Sequence, residues 1–114
     1  MSRETVLLNL LKFEAPLYLI RDELSRYTWD SDKDYVVLSR EGMIHALNMF
    51  LTKVRSSEQL EEWANMIESR EDIGFENEQL QEVIFELANP SLHGVITDNR
   101  AKEIISMLST KPVV

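Results

Sequence analysis

Apolar residues recur at i, i+3, i+4 and i+7 in one segment of this chain after another, and that period constrains the fold more than any other feature. Leu60, Trp63, Ala64 and Ile67 show it most cleanly. Such a stripe covers one side of an α-helix and leaves the other side polar. The same pattern predicts a helix over 2–13, capped by Ser2, with Val6, Leu7, Leu10 and Leu11 inside. A second helix starts near Pro16 and runs to about Arg26, with Leu17, Ile20 and Leu24 as its apolar face. Ser39 is the expected N-cap of a third helix over 40–54, whose inner face is Met43, Ile44, Leu47, Phe50, Leu51 and Val54. Ser56 and Gln59 have capping-box spacing and open a fourth helix over 57–69. Asn77 caps a fifth, to about Ala88, with Leu80, Val83, Ile84 and Leu87 inside; Thr97 caps a last one over 98–108, carrying Ala101, Ile104, Ile105 and Leu108. In "ANPSLHG" Pro90 ends the hydrogen-bond ladder and Gly94 permits a turn. The tail "STKPVV" is expected to fray. With three Gly and three Pro in 114 residues there is little material for a turn-dense β fold. The expected class is all-α: a compact bundle of five to six short helices, one domain over 1–114.

The residue inventory excludes several chemistries. There is no Cys, hence no disulfide scaffold, thiol nucleophile or zinc–thiolate site. No stretch approaches the roughly 20 apolar residues of a membrane span. The start "MSRETVLLNLLKFEAP" lacks the pattern of a signal peptide, so a cytoplasmic protein is expected. There is no P-loop, GxGxxG, GxSxG or HExxH. His45, on the polar side of the third helix, is expected to pair with Glu41 one turn back, and His93 sits in a loop. A non-enzymatic protein without cofactor is the expectation. A net charge of −8 argues against direct nucleic-acid binding, which needs clustered Lys and Arg, and favours a basic partner.

One stretch imitates a metal site. In "TWDSDKDYVVLSRE", Asp30, Asp32 and Asp34 fill positions 1, 3 and 5 of an EF-hand loop and Glu41 fills position 12. Position 6, which needs a sharp turn with positive φ, holds Tyr35 instead of Gly, and Leu38 at position 9 offers no side-chain oxygen. The motif also stands single. A solvated loop followed by an extended "YVVL" segment packed on the bundle accounts for more of the residues. Asp30, Asp32, Asp34 and Glu41 remain the candidate calcium ligands.

The charge is very unevenly placed. Residues 56–90 hold ten acids against the single base Arg70, a net −9, so the other residues sum to +1. Glu58, Glu61 and Glu62 project from the fourth helix opposite its apolar stripe, and Glu78, Glu82 and Glu86 follow one another at i+4 down the fifth. Like charges at that spacing cost a few tenths of a kcal/mol per pair. Solubility alone can account for an acidic face. A docking surface for a basic protein accounts for it as well, because complementary charge speeds encounter and sets orientation. The candidate contact residues are Glu58, Glu61, Glu62, Glu68, Glu71, Asp72, Glu78, Glu82 and Glu86.

A small, cysteine-free, acidic helical bundle with one strongly anionic face resembles the bacterial immunity proteins. These are the helical inhibitors of colicin-type nucleases and the immunity partners of contact-dependent inhibition toxins. The resemblance covers size, charge and helical pattern along the chain, and it carries over no individual residue. It implies an inhibitor that binds and neutralises a basic nuclease toxin. A helical adaptor or scaffold for another partner is the alternative, which an apolar groove left open to solvent would favour.

Overall fold

The computed structural model describes residues 2–109. Its helices are α1 (Arg3–Lys12), α2 (Leu17–Leu24), α3 (Arg40–Leu51), α4 (Ser57–Glu68), α5 (Glu78–Ala88), α6 (Pro90–His93) and α7 (Asp98–Ser109). Two three-residue strands, β1 (Val36–Leu38) and β2 (Ile73–Phe75), pair in parallel with Val37 opposite Gly74. The protein is thus mostly helical, as the period requires. The described residues form seven helices where five to six were expected, the extra one being the single turn α6. Pro90 ends α5 but also starts that turn, since proline suits the first position of a helix. The tail from Thr110, expected to fray, lies outside the described residues.

The capping residues do what their chemistry allows. Ser2 Oγ accepts from Thr5 N, Ser39 Oγ from Gly42 N, Asn77 Oδ1 from Leu80 N and Thr97 Oγ1 from Arg100 N, all at 3.0–3.2 Å. Ser56 and Gln59 form the reciprocal capping box. α3 stops earlier than its apolar pattern suggests. Lys53 takes a left-handed φ of 66°, the chain turns, and Val54 is thrown out to solvent instead of completing the inner face. Ile44 and Leu51 are only partly buried.

The core is continuous through all the long helices. At its centre Trp63 and Phe13 stack with ring centroids 5.1 Å apart, both fully buried. Phe13 lies just past α1 in the left-handed region (φ 57°), which a bulky residue adopts only when its surroundings compel it. Here the ring is held by Trp63, and the Phe13 carbonyl accepts from Arg55 Nε at 3.2 Å and Nη2 at 2.9 Å. Trp63 Nε1 donates to the Leu10 carbonyl at 2.7 Å, so the indole loses no hydrogen bond on burial.

The strands were not anticipated as a pair. α3 and α4 form the crossover between them, as parallel strands require a long connection. Pairing extends beyond the strands, through Glu71 N to Trp29 O, Tyr35 N to Asp72 O and Glu76 N to Leu38 O at 2.9–3.0 Å. This seam fixes the chain segment from which the acidic cleft is built.

Replacing Trp63 with Phe removes the indole donor and some core volume, and is expected to cost about 1–3 kcal/mol in urea unfolding. The same change at exposed Trp29 is expected to stay within about 0.5 kcal/mol. Equal effects at the two positions would contradict the packing described.

Candidate functional site

The segment between α4 and α5 is organised by one buried carboxylate. Asp72 is the only fully buried charged side chain among the described residues. Its Oδ1 accepts from Arg70 Nε, and its Oδ2 from Arg70 Nη2 and Arg3 Nε, each at 2.9 Å. The two guanidiniums then reach a common carbonyl: Arg3 Nη2 lies 2.7 Å and Arg70 Nη2 2.9 Å from Thr28 O. Arg3 also donates to Asp30 O at 3.1 Å. Burial pushes the Asp72 carboxyl upward, but the hydrogen bonds and charges of Arg70 and Arg3 outweigh it and hold the group below the usual carboxylate range. Asp72 is therefore a structural ion-pair centre, and its expected place on an exposed docking face is corrected: a carboxylate enclosed by two guanidiniums has no capacity left for a partner.

Beside this centre lies an open cleft of about 660 Å³. Its floor is apolar, from the buried Ile67, Ile73 and Ile84, with the exposed Phe85 along one side, and its rim is acidic, from Asp34, Glu68, Glu71 and Glu78. Asp34 arrives from β1's side of the seam. Its carboxylate occupies the space a Cβ at Gly74 would fill, so position 74 accepts only glycine while Asp34 stays there. Arg70 lines the same cleft, but its charge is committed to Asp72. A second hollow of about 440 Å³ lies on the other side of Phe85, bordered by Gln81, Glu82, Glu86 and His93.

The nine acids expected to act together fall into separate settings. Glu68, Glu71 and Glu78 meet at the first cleft; Glu82 and Glu86 border the second hollow. Glu86 is half committed: Arg100 grips it at 2.7 and 2.8 Å and, against the opposing effect of burial, holds its carboxyl below the usual range. Arg100 in turn is raised above its ordinary value by Glu86, and it also pairs with Glu103. Glu62 reaches Arg21 of α2 at 2.6 Å, in a surface pair of small net worth. Glu58 and Glu61 line neither hollow. Glu76, counted in the acidic run, caps α3 instead, accepting from Arg40 N at 2.6 Å. Glu58, Glu61, Glu68, Glu71, Glu78 and Glu82 take part in no ion pair among the described residues.

The calcium candidates are not gathered. Asp34 goes to the cleft, Glu41 lies in the first turn of α3, and the extended strand β1 separates them. No group of three or more His, Asp or Glu among the described residues is placed to hold a metal ion. Tyr35, where an EF-hand would have Gly, serves as a platform: Arg3 and Lys33 sit 4.7 and 4.5 Å from its ring centre. His45 faces Glu14 at 3.8 Å, across from α1, and does not take the expected partner Glu41.

Phe85 escaped the sequence reading. It lies outside the stripe formed by Leu80, Val83, Ile84 and Leu87 and is 47% exposed. The signal available was a large aromatic residue set among Gln81, Glu82 and Glu86 on an otherwise polar face. No helix of the described residues is long and apolar enough to cross a membrane. Comparison with protein-family models, curated proteins and solved structures gives no match.

Removing the Asp72 charge leaves two facing guanidiniums without their anion, so Asp72→Asn is expected to cost about 3–5 kcal/mol, against less than about 0.5 kcal/mol for Glu71→Gln next to it. The folded pKa of Asp72 lies below the unfolded value of about 3.9. Its contribution is therefore complete above that value and disappears as pH falls through the folded one. Urea unfolding across this acid range checks both statements: Asp72→Asn is expected to flatten the dependence, and an unchanged slope would contradict it.

Proposed function

We propose that this chain is a non-enzymatic cytoplasmic inhibitor that docks on a basic protein and neutralises it, in the manner of an immunity protein facing a nuclease toxin. One observation supports this more than any other. Glu68, Glu71, Glu78 and Asp34 stand around an apolar floor, and Arg70, the one cation at the cleft among the described residues, is already neutralised by Asp72. Such an arrangement presents negative potential over a surface that gains by leaving water. A basic partner would be steered by the outer acids and held where charge pairs become desolvated at the floor. Glu78 and Glu82 extend the same field along α5, and Glu58 and Glu61 add to it at longer range.

A helical adaptor is the second reading, favoured by apolar side chains left in water at Phe85, Leu92 and Val95. In that case recognition would depend on apolar contact and respond little to salt.

The triple reversal Glu71→Lys, Glu78→Lys and Glu82→Lys separates the two. Under the inhibitor reading a basic protein is retained from lysate at low salt and released by a salt gradient, and the triple variant loses at least about a hundredfold in affinity for it. Far-ultraviolet circular dichroism is expected to stay unchanged, since all three side chains are exposed. Undiminished binding by the folded variant would sink the inhibitor reading, and a salt-insensitive partner would favour the adaptor.

A further inference from the structure

We infer that the occupant of this face is a basic amphipathic helix of the partner, seated astride Phe85. This rests on the acidic-docking reading above for its flanking charges and adds an apolar anchor that charge alone does not provide. Phe85 is a ridge with a hollow on each side, about 660 Å³ on the side of α4 and β2 and about 440 Å³ on the side of His93.

The ring has an aromatic neighbour, and its backbone is tied to the turn that follows. His93 meets it edge-on at 5.6 Å between centroids, and the backbone carbonyl of residue 85 accepts from Asn89 Nδ2 at 2.7 Å. Asn89 also donates to Glu68 Oε2 at 3.3 Å, tying the ridge to the end of α4. A rigid aromatic group gives up little conformational freedom on binding, which is what distinguishes an interface anchor from a mobile surface side chain.

A ridge between two hollows asks for two apolar side chains one helical turn apart, one entering each hollow. That is the helix-in-groove mode of recognition. The acids specify the rest of the occupant. Glu71 and Glu78 stand at the rim of one hollow and Glu82 at the other, none paired with a cation among the described residues, so the residues flanking the two apolar anchors must be Lys or Arg. An acidic or neutral segment would leave those carboxylates desolvated without partners, a cost that excludes it. The arrangement matches that of binding hot spots, an aromatic centre enclosed by a polar rim.

Two peptides of equal length test this against the whole chain: an amphipathic leucine–lysine helix and an all-lysine sequence. Calorimetric titration is expected to show the leucine–lysine peptide binding about tenfold more tightly or better, the gain from burying part of one aromatic surface. Amide shifts in an NMR titration are expected to centre on residues 74–75 and 81–86. Phe85→Ala is expected to erase the advantage of the leucine–lysine peptide while leaving all-lysine binding unchanged; Glu71→Lys with Glu78→Lys is expected to weaken both peptides. An advantage that survives Phe85→Ala, or shifts centred on another apolar patch such as Leu8 and Val37, would overturn the anchor and leave the acidic reading standing. Failure of both peptides to bind would overturn both.

Discussion

The buried carboxylate of Asp72 is the interaction on which the rest of this molecule depends. A two-stranded sheet of three residues per strand has too few hydrogen bonds and too little apolar face to persist alone. Here it persists because one residue joins three parts of the chain. The Asp72 backbone carbonyl receives the N–H of Tyr35, while its side chain holds Arg70 from the same loop and Arg3 from the start of α1. Both arginines then take the carbonyl of Thr28, so the loop before β1 is tied to the loop before β2. Two charged hydrogen bonds from a fork and a third from a separate guanidinium are enough to offset the loss of water around one carboxylate. Arg70 alone reaches both carboxylate oxygens and Thr28 O, and Arg3 adds a second donor to Oδ2 and to that carbonyl; without Arg70, Oδ1 would have no donor. The consequence for function is geometric. Ile73, Gly74 and Phe75 follow directly from Asp72, so this part of the cleft is positioned by a buried carboxylate paired with two guanidiniums.

The same centre explains why the acidic rim is so poorly neutralised. The one basic residue in the acidic segment 56–90 is Arg70, and Asp72 uses it. Of the acids in that segment, Arg21 and Arg100, which come from elsewhere, answer Glu62 and Glu86 among the described residues. Stability has little to say about the remaining acids. Glu78 in the first turn of α5 is favoured by the helix dipole, and its repulsion with Glu82 costs only a few tenths of a kcal/mol. Against that small cost stands a field able to change association rates by orders of magnitude. The stability of the helices therefore neither requires this arrangement of charge nor opposes it by more than a small amount.

Much of the architecture was legible because helices declare themselves through a repeating period and through caps whose chemistry is local. Ser2, Ser39, Ser56, Asn77 and Thr97 each act within three residues of their own position, so sequence spacing suffices to find them. Most of the differences were non-local. Three-residue strands have no period to detect, and nothing in "REDIGFEN" points to "YVVL". Asp72 was counted as one more surface acid because its second arginine is sixty-nine residues away. His45 was matched with Glu41 on its own helix, when the nearer carboxylate comes from Glu14. Val54 continued the apolar stripe on paper, but the left-handed turn at Lys53 carries it out of the core. Phe85 was missed for a different reason. Sorting residues into an inner stripe and a polar face has no place for an aromatic ring that belongs on the outside.

The resemblance of residues 30–41 to a calcium loop dissolves by the same reasoning, one residue at a time. Asp30 contributes its backbone carbonyl to Arg3, and Tyr35 lies against two cations in place of the glycine that a metal loop would need. Glu41 sits in the first turn of α3, where a negative charge is favoured whatever lies nearby. Asp34 alone reaches across the seam, and only because Gly74 has no side chain to oppose it. The residues of this acidic rhythm therefore meet separate local demands and do not converge on a single ion. One of them, the carboxylate over Gly74, gives the cleft an acidic wall on the side that neither α4 nor α5 can supply.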